Sequence, residues 1–215
     1  MNKKENIQSK KDKILIFDIG GVVLFFDHML ICERLSRLSG YSTSEIYKLI
    51  FIGGLEKLYD EGKISSKEFY KRIIRALKVN IPLYEFYEIW SDIFEENTEV
   101  SQLISWLKKK KYKIYLLSNT NELHYRYVKN KFSIIKEFDE YFLSYNIGYR
   151  KPDLKIFQKV LEKSKLPVNN YIYINDKEEY VSVAKSIGMI GIIFKSSNQL
   201  KKELSENGIL FKLEV

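Results

Sequence analysis

One cysteine in 215 residues, Cys32, rules out an internal disulfide and any metal cluster built on thiolates. Long apolar runs are equally scarce: no segment approaches the ~20 apolar residues of a membrane helix. The stretch from Ile14 to Phe26 behind a basic start imitates a signal sequence, but Asp18 interrupts it and Phe26-Asp27 ends it without a small-residue cleavage site. Internal repeats are lacking, and so is low-complexity sequence beyond two lysine-rich runs. These absences lead to the expectation of a cytoplasmic protein in reducing surroundings, with no membrane partner.

What is present is a globular composition. With 45% hydrophobic and 30% charged residues, the chain is neither a disordered tail nor a membrane bundle. Its length suits one large domain, or a core domain with a small insert. The net charge is +8. Residues 1–13 and the KKKKYK run at 108–113 carry that whole excess, and the rest of the chain balances. A nucleic-acid binder spreads its positive charge over a face, whereas here it falls in an expected flexible basic tail, residues 1–12, and at one helix end, where lysines favour the negative end of the helix dipole. Nucleic acid is therefore not an expected partner.

Short β-branched and aromatic runs at Ile14–Phe17, Ile114–Leu117, Tyr171–Ile174 and Ile190–Phe194 read as strands buried on both faces. Helical patterns at Glu99–Lys109, Leu154–Lys163 and Glu178–Ser186 separate them, which implies βα units and a parallel sheet. Between His28 and Asn97 no strand pattern occurs. Helix starts with capping-box spacing stand at Ser42–Glu45 and Ser65–Glu68, and Pro82 opens a helix over Leu83–Glu95. The expected architecture is α/β: a doubly wound, Rossmann-like parallel sheet core (13–27 and 98–215) with an inserted all-helical cap (28–97).

Open parallel sheets bind ligands at the carboxyl ends of their strands. The first strand ends in Asp18-Ile19-Gly20-Gly21, the second in Ser118-Asn119, the third in Asn175-Asp176, and Arg150-Lys151-Pro152 precedes the Leu154 helix. Carboxylates, a hydroxyl, amides and a lysine on one edge suit a phosphate and a hard divalent cation.

These segments resemble the four motifs of the haloacid dehalogenase superfamily, in order and 100, 33 and 25 residues apart from Asp18 through Ser118 and Lys151 to Asp176. FDIGGVV at 17–23, LSNTNELH at 117–124, GYRKPD at 148–153 and EGKIS at 61–65 look like one subgroup, that of bacterial α-glucose-1-phosphate phosphatases and the phosphatase domain of soluble epoxide hydrolases. The resemblance implies a phosphomonoesterase acting on a small phosphorylated metabolite. Asp18 would be the nucleophile that forms an aspartyl-phosphate. Ser118 and the amide of Asn119 would hold phosphoryl oxygens, and Lys151 would neutralise the shared charge. Asp18, Asp176 and the backbone carbonyl of Gly20 would ligate Mg²⁺.

Two positions depart from the superfamily pattern. Gly20 stands where a second aspartate usually serves as general acid and base, a role that contributes ~10²–10⁴-fold. Its loss favours a substrate with a good leaving group, hence a sugar 1-phosphate; Asp27 is the one substitute base the sequence offers. Asn175 stands where the subgroup commonly carries aspartate. Other readings remain open on the residues alone: Asp18, Ser118-Asn119 and Asp176 as turn or helix caps, His124 as a local packing or capping group with pocket contact the second choice, His28 as a hinge residue with substrate contact the second choice, and Cys32 as a buried apolar residue. The competing functions are a weakly active phospho-ligand or partner-binding protein and a metal-independent dehalogenase.

Overall fold

The computed structural model describes residues 13–164 and 166–209; the expected basic tail lies outside the described residues. Strand β1 (Ile14–Phe17) passes through a tight loop into β2 (Leu24–Phe26). The helices that follow are α1 (His28–Leu38), α2 (Thr43–Tyr47, continued by a wider π-type turn over Lys48–Ile52), α3 (Leu55–Asp60), α4 (Ser66–Leu77) and α5 (Leu83–Ser91). Then come β3 (Phe94–Glu96), α6 (Thr98–Lys109), β4 (Lys113–Ser118), α7 (Glu122–Lys131), β5 (Glu140–Leu143) and α8 (Ser144–Ile147). The order closes with α9 (Leu154–Lys163), β6 (Tyr171–Asn175), α10 (Glu178–Ser186), β7 (Ile190–Ile193) and α11 (Ser197–Glu206).

The main sheet is parallel, in the order β5-β4-β1-β6-β7. Alternation along each strand divides its side chains between two faces. Leu15, Phe17, Ile114, Leu116, Ile172 and Ile174 pack on one side with Leu103 and Ile104 of α6 and Leu200 and Leu204 of α11. Ile14, Ile16, Tyr115, Leu117, Tyr171 and Tyr173 pack on the other with Phe157 of α9 and Val181 of α10. Burial on both faces is why these strands read as unbroken apolar runs. The result is a doubly wound α/β core with β1 at its centre. The chain steps outward from β1 to β4 and β5, then returns to β6, so the strand order reverses beside β1 and opens a crevice at its carboxyl end.

Helices α1 to α5 bury a separate apolar cluster that includes Ile31, Ile46, Tyr59, Phe69, Ile73, Phe86 and Trp90. Cys32 lies in it as a buried free thiol. Ser42 and Glu45 cap each other reciprocally at the start of α2, as their spacing predicts. At α4 only half of that arrangement forms: Ser65 accepts from the Glu68 amide, while the Glu68 carboxylate turns to Arg72.

Two strands depart from the sequence expectation. The segment before Asn97 is not wholly helical: α5 ends at Ser91, and β3 pairs antiparallel with β2, Phe26 opposite Phe94. The chain thus enters and leaves the helical insert through one two-stranded ribbon. Three residues, two of them glutamates, carry no alternation that would announce a strand; the pairing with β2 creates it. Strand β5 is likewise absent from the apolar runs, because it is an edge strand that opens on half-buried Glu140 and Tyr141. Of the basic run, Lys108 and Lys109 fill the last turn of α6, and Lys108 pairs with Asp139 at 2.5 Å. Among the described residues no helix is long and apolar enough to cross a membrane.

Candidate active site

The first residue beyond β1 is Asp18, whose amide still donates to the Ile174 carbonyl of β6 at 3.2 Å, so its position is set by sheet register. It is 7% exposed. Its carboxylate is held from three sides. Oδ1 accepts from the Ile19 amide at 2.8 Å, and Oδ2 accepts from Lys151 Nζ at 2.8 Å and Asn175 Nδ2 at 2.5 Å.

Lys151 has no exposed side-chain surface. Its ammonium also donates to the Leu117 carbonyl at 3.1 Å. Burial pulls its pKa down, and the Asp18 charge pushes it back up. A buried ammonium without its carboxylate would be strongly unfavourable, so the two charges require each other. Asn119 fixes the loop that delivers this lysine: its Nδ2 donates to the Lys151 carbonyl at 2.9 Å, and its Oδ1 accepts from the Lys151 amide at 2.7 Å. The Asn119 side chain is therefore spent on Lys151.

Asn175 links the third strand to the same point. While Nδ2 serves Asp18, Oδ1 accepts from the Lys177 amide at 2.7 Å. An aspartate at 175 would offer no donor to Asp18, so the amide here is a working part of the arrangement. Asp176 is solvent-accessible and does not cap α10: the N-cap residue is Lys177, and no side chain caps it. Desolvation and then the Asp18 charge raise the Asp176 pKa. Gly21 makes room for it. Its φ is +75°, and a Cβ there would lie 2.4 Å from Asp176 Oδ2, so any side chain at 21 would displace the carboxylate.

Asp18, Gly20, Ser118, Asn119 and Asp176 line one cavity of about 100 Å³; Lys151 and Asn175 sit behind Asp18, outside its lining. Ser118 is buried, and its hydroxyl makes one long bond, 3.3 Å, to the Asn119 carbonyl. Asp27 does not reach this cavity. It is exposed and caps α1, accepting from the Met29 amide at 2.8 Å, because a carboxylate just ahead of a helix is drawn to its free amides. The substitute-base expectation for Asp27 is corrected accordingly.

Of the opposite wall the sequence offered only His28 and His124, each as a second choice, and Arg150 within its motif. His28, Glu56 and Asp60 come from the helical insert, and His124, Arg150 and Lys177 from the core. Asp60 is buried, accepts from Asn121 Nδ2 at 3.0 Å and faces Arg150 Nη2 at 3.8 Å. His28 lines this wall, the substrate-contact position of its second reading: its Nε2 lies 3.7 Å from Glu56 Oε1. His124 does both things considered for it. It stacks on Trp90 and reaches the Trp90 carbonyl at 2.9 Å, tying insert to core, and it also lines the cavity. The available signal was a helix whose acidic residues, Glu56 and Asp60, sit four apart on one face; the spacing alone is also that of an ordinary solvated helix.

The donor chemistry of Asp18, Asp176 and the Gly20 carbonyl suits a hard divalent cation. Two carboxylates and a backbone carbonyl are hard oxygen donors, suited to Mg²⁺ with water completing its sphere. Among the described residues no three histidine, cysteine or acidic side chains gather as metal ligands. The repulsion between Asp18 and Asp176 is what such a cation would relieve.

The model of the haloacid dehalogenase-like hydrolase family matches residues 13–188 of this chain. The chain belongs to the haloacid dehalogenase-like hydrolase family. Among similar proteins is the D-ribitol-5-phosphate phosphatase of Bacteroides thetaiotaomicron, 25% identical over 82% of this chain and 88% of its own length. The sesquiterpene phosphatase astK of Aspergillus oryzae is 23% identical over 90% of this chain and 95% of its own. A haloacid dehalogenase family enzyme from Bacteroides thetaiotaomicron, solved in complex with magnesium and inorganic phosphate, superposes with a TM-score of 0.77 at 26% identity, covering 85% of this chain and 94% of that one. As a member of this hydrolase family the chain is an enzyme, and the crevice at the carboxyl end of β1 is its candidate site.

Proposed function

We propose that the protein is a Mg²⁺-dependent phosphomonoesterase that hydrolyses a small, polyhydroxylated phosphate ester, of the sugar or sugar-alcohol kind. The carrying observation is the Asp18 carboxylate, paired with a buried lysine at 2.8 Å and open to the cavity beside Asp176. Asp18 attacks phosphorus, the ester oxygen leaves, and an aspartyl-phosphate forms; water then cleaves it to phosphate and free Asp18. Lys151 and Asn175 hold the nucleophile in place and offset the charge it shares with the phosphoryl group. The Ser118 hydroxyl, held only by its long bond to a neighbouring carbonyl, turns to a phosphoryl oxygen. Asp18, Asp176 and the Gly20 carbonyl would hold Mg²⁺, which would supply charge neutralisation at the phosphoryl oxygens.

Two relatives act on very different phosphates, a ribitol phosphate and a sesquiterpene phosphate. The cavity wall supports the first kind. His28, Glu56, Asp60, Arg150 and Lys177 offer hydrogen-bond partners to hydroxyl groups, and covering these polar groups with a terpene would cost their remaining hydration.

The test is Mg²⁺-stimulated phosphate release from p-nitrophenyl phosphate, followed by a panel of sugar and sugar-alcohol phosphates. The expected result is release that Asp18→Asn abolishes. Release that survives Asp18→Asn, or none with Mg²⁺ present, overturns the reading in favour of a binding protein. Halide release by the metal-free protein overturns it in favour of a dehalogenase.

A further inference from the structure

Breaking an alkyl phosphate ester leaves an alkoxide that needs a proton, and the second half-reaction needs a base for water. Position 20, next to the nucleophile, has no side chain to provide either. The space where one would stand is filled: a Cβ on Gly20 would lie 2.6 Å from Phe26 Cε1. From there a chain of contacts leads across the wall. The Phe26 and His28 rings are 4.9 Å apart, His28 is stacked on Phe51 at 4.4 Å, and Glu56 Oε1 lies 3.7 Å from His28 Nε2.

The carboxylates lining the cavity are Asp18, Glu56, Asp60 and Asp176. Asp18 is the nucleophile, and Asp176 lies on the cation side. Asp60 is already bound by Asn121 and faces Arg150. Glu56 is left, with 15% of its side chain exposed and facing into a space of about three waters. We propose, on the phosphatase reading above, that Glu56 is the general acid and base of this enzyme, with His28 as its positioning residue. Its carboxyl gives a proton to the ester oxygen as the P–O bond breaks and Asp18 bonds to phosphorus. Its carboxylate then takes a proton from the water that attacks the phosphorus, the bond to Asp18 breaks, and Glu56 is protonated again.

The surroundings favour that starting state. Burial and then the Asp60 charge push the Glu56 pKa up to about 8, against the opposing pull of Arg150 and Lys177. Burial and Lys177 push that of His28 down to about 4. A neutral imidazole thus faces a protonated carboxyl at neutral pH.

The experiment compares wild type with Glu56→Gln on aryl phosphates of graded leaving-group acidity, from p-nitrophenyl to phenyl phosphate. Where an acid protonates the leaving oxygen, kcat/KM depends weakly on leaving-group acidity; without the acid the dependence steepens. The expected result is a shallow wild-type series and a steep Glu56→Gln series, with about 10²-fold loss on phenyl phosphate and only a few-fold loss on p-nitrophenyl phosphate. Parallel series, or a wild-type series already steep, overturn the proposal. Wild-type inactivity across all the esters instead defeats the phosphatase reading itself. Carbon-13 NMR of the wild-type glutamate carboxyls, with Glu56 assigned, gives an answer independent of any variant: Glu56 titrating in the ordinary carboxylate range overturns the proposal, and titration well above that range supports it.

Discussion

The ring of Phe26 lies against the α-carbon of Gly20, so that even a methyl group at position 20 would meet Phe26 Cε1 at 2.6 Å. The small residue and the aromatic one fit together: the ribbon strand β2 brings Phe26 over the loop that follows β1. The sequence alone suggests that aspartate at 20 would simply restore a proton donor. The structure adds that the ring must leave first.

Gly20→Asp is therefore expected to act through Phe26. The ring is 41% exposed and has somewhere to swing, so the single variant folds but positions its carboxyl poorly. Gly20→Asp with Phe26→Ala should exceed Gly20→Asp alone by about tenfold in kcat/KM on phenyl phosphate, within the range a positioned acid contributes. In that double variant Glu56→Gln should lose most of its effect, because the two carboxyls would do the same task. Full additivity of the three changes would contradict this.

Asp18→Asn should cost stability as well as activity. It leaves the buried Lys151 ammonium without a counter-charge, a loss of about 3 kcal/mol, read as a lower urea midpoint. Adding Lys151→Met should recover most of the loss while activity stays absent. An unchanged midpoint for Asp18→Asn would mean that Lys151 is held by other partners.

Asn119→Ala should mimic a partial loss of Lys151. Both of its bonds to the Lys151 backbone disappear, and the loop loosens. A kcat decrease of about tenfold with a smaller change in KM is expected, since near-attack geometry is lost before binding. Steady-state kinetics on p-nitrophenyl phosphate decide it.

Removing the cation should abolish turnover reversibly, and Asp176→Asn should raise the Mg²⁺ concentration for half-maximal rate by at least about tenfold, the scale at which even outer-shell groups act. Chelation followed by Mg²⁺ titration measures both. Full activity in chelator would contradict the cation assignment.

Stability should fall between pH 6.5 and 8.5 in the wild type. A glutamate whose folded pKa is raised binds more protons folded than unfolded, so stability is greatest below the unfolded value and is lost as pH rises toward the folded one. Asp60, pushed up to about 6 by burial, acts the same way at lower pH. His28 and His124, pushed down to about 4 and about 3 by burial, act oppositely, but only below pH 6.5. Glu56, whose pKa reaches about 8, is thus assigned the main share of the upper window, with Asp176, raised by burial and the Asp18 charge, acting in the same direction. Urea unfolding at pH 6.5, 7.5 and 8.5 should find the decline in wild type and a flatter profile in Glu56→Gln.

How much the sequence determines here follows from what is local. Strands buried on both faces must be apolar throughout, so four of the five sheet strands and the helices between them could be read directly. Asp18, Ser118, Lys151 and Asp176 could be read because each follows a strand or opens a helix, and the doubly wound sheet gathers such ends at one edge. Strand β3 could not, since its residues become a strand only by pairing with β2, seventy residues earlier in the chain. Glu56 and Asp60 of the opposite wall could not either. Nothing local distinguishes Glu56 from a solvated helix glutamate; it becomes a buried group only when the insert folds over the crevice and desolvates it beside His28. The sequence by itself settled the four apolar strands, the helices between them and the acidic residue that follows β1. Tertiary packing decided that Glu56 faces the site, because that depends on how two distant segments meet, and it decided how Phe26 covers Gly20, because β2 is held by its pairing with β3.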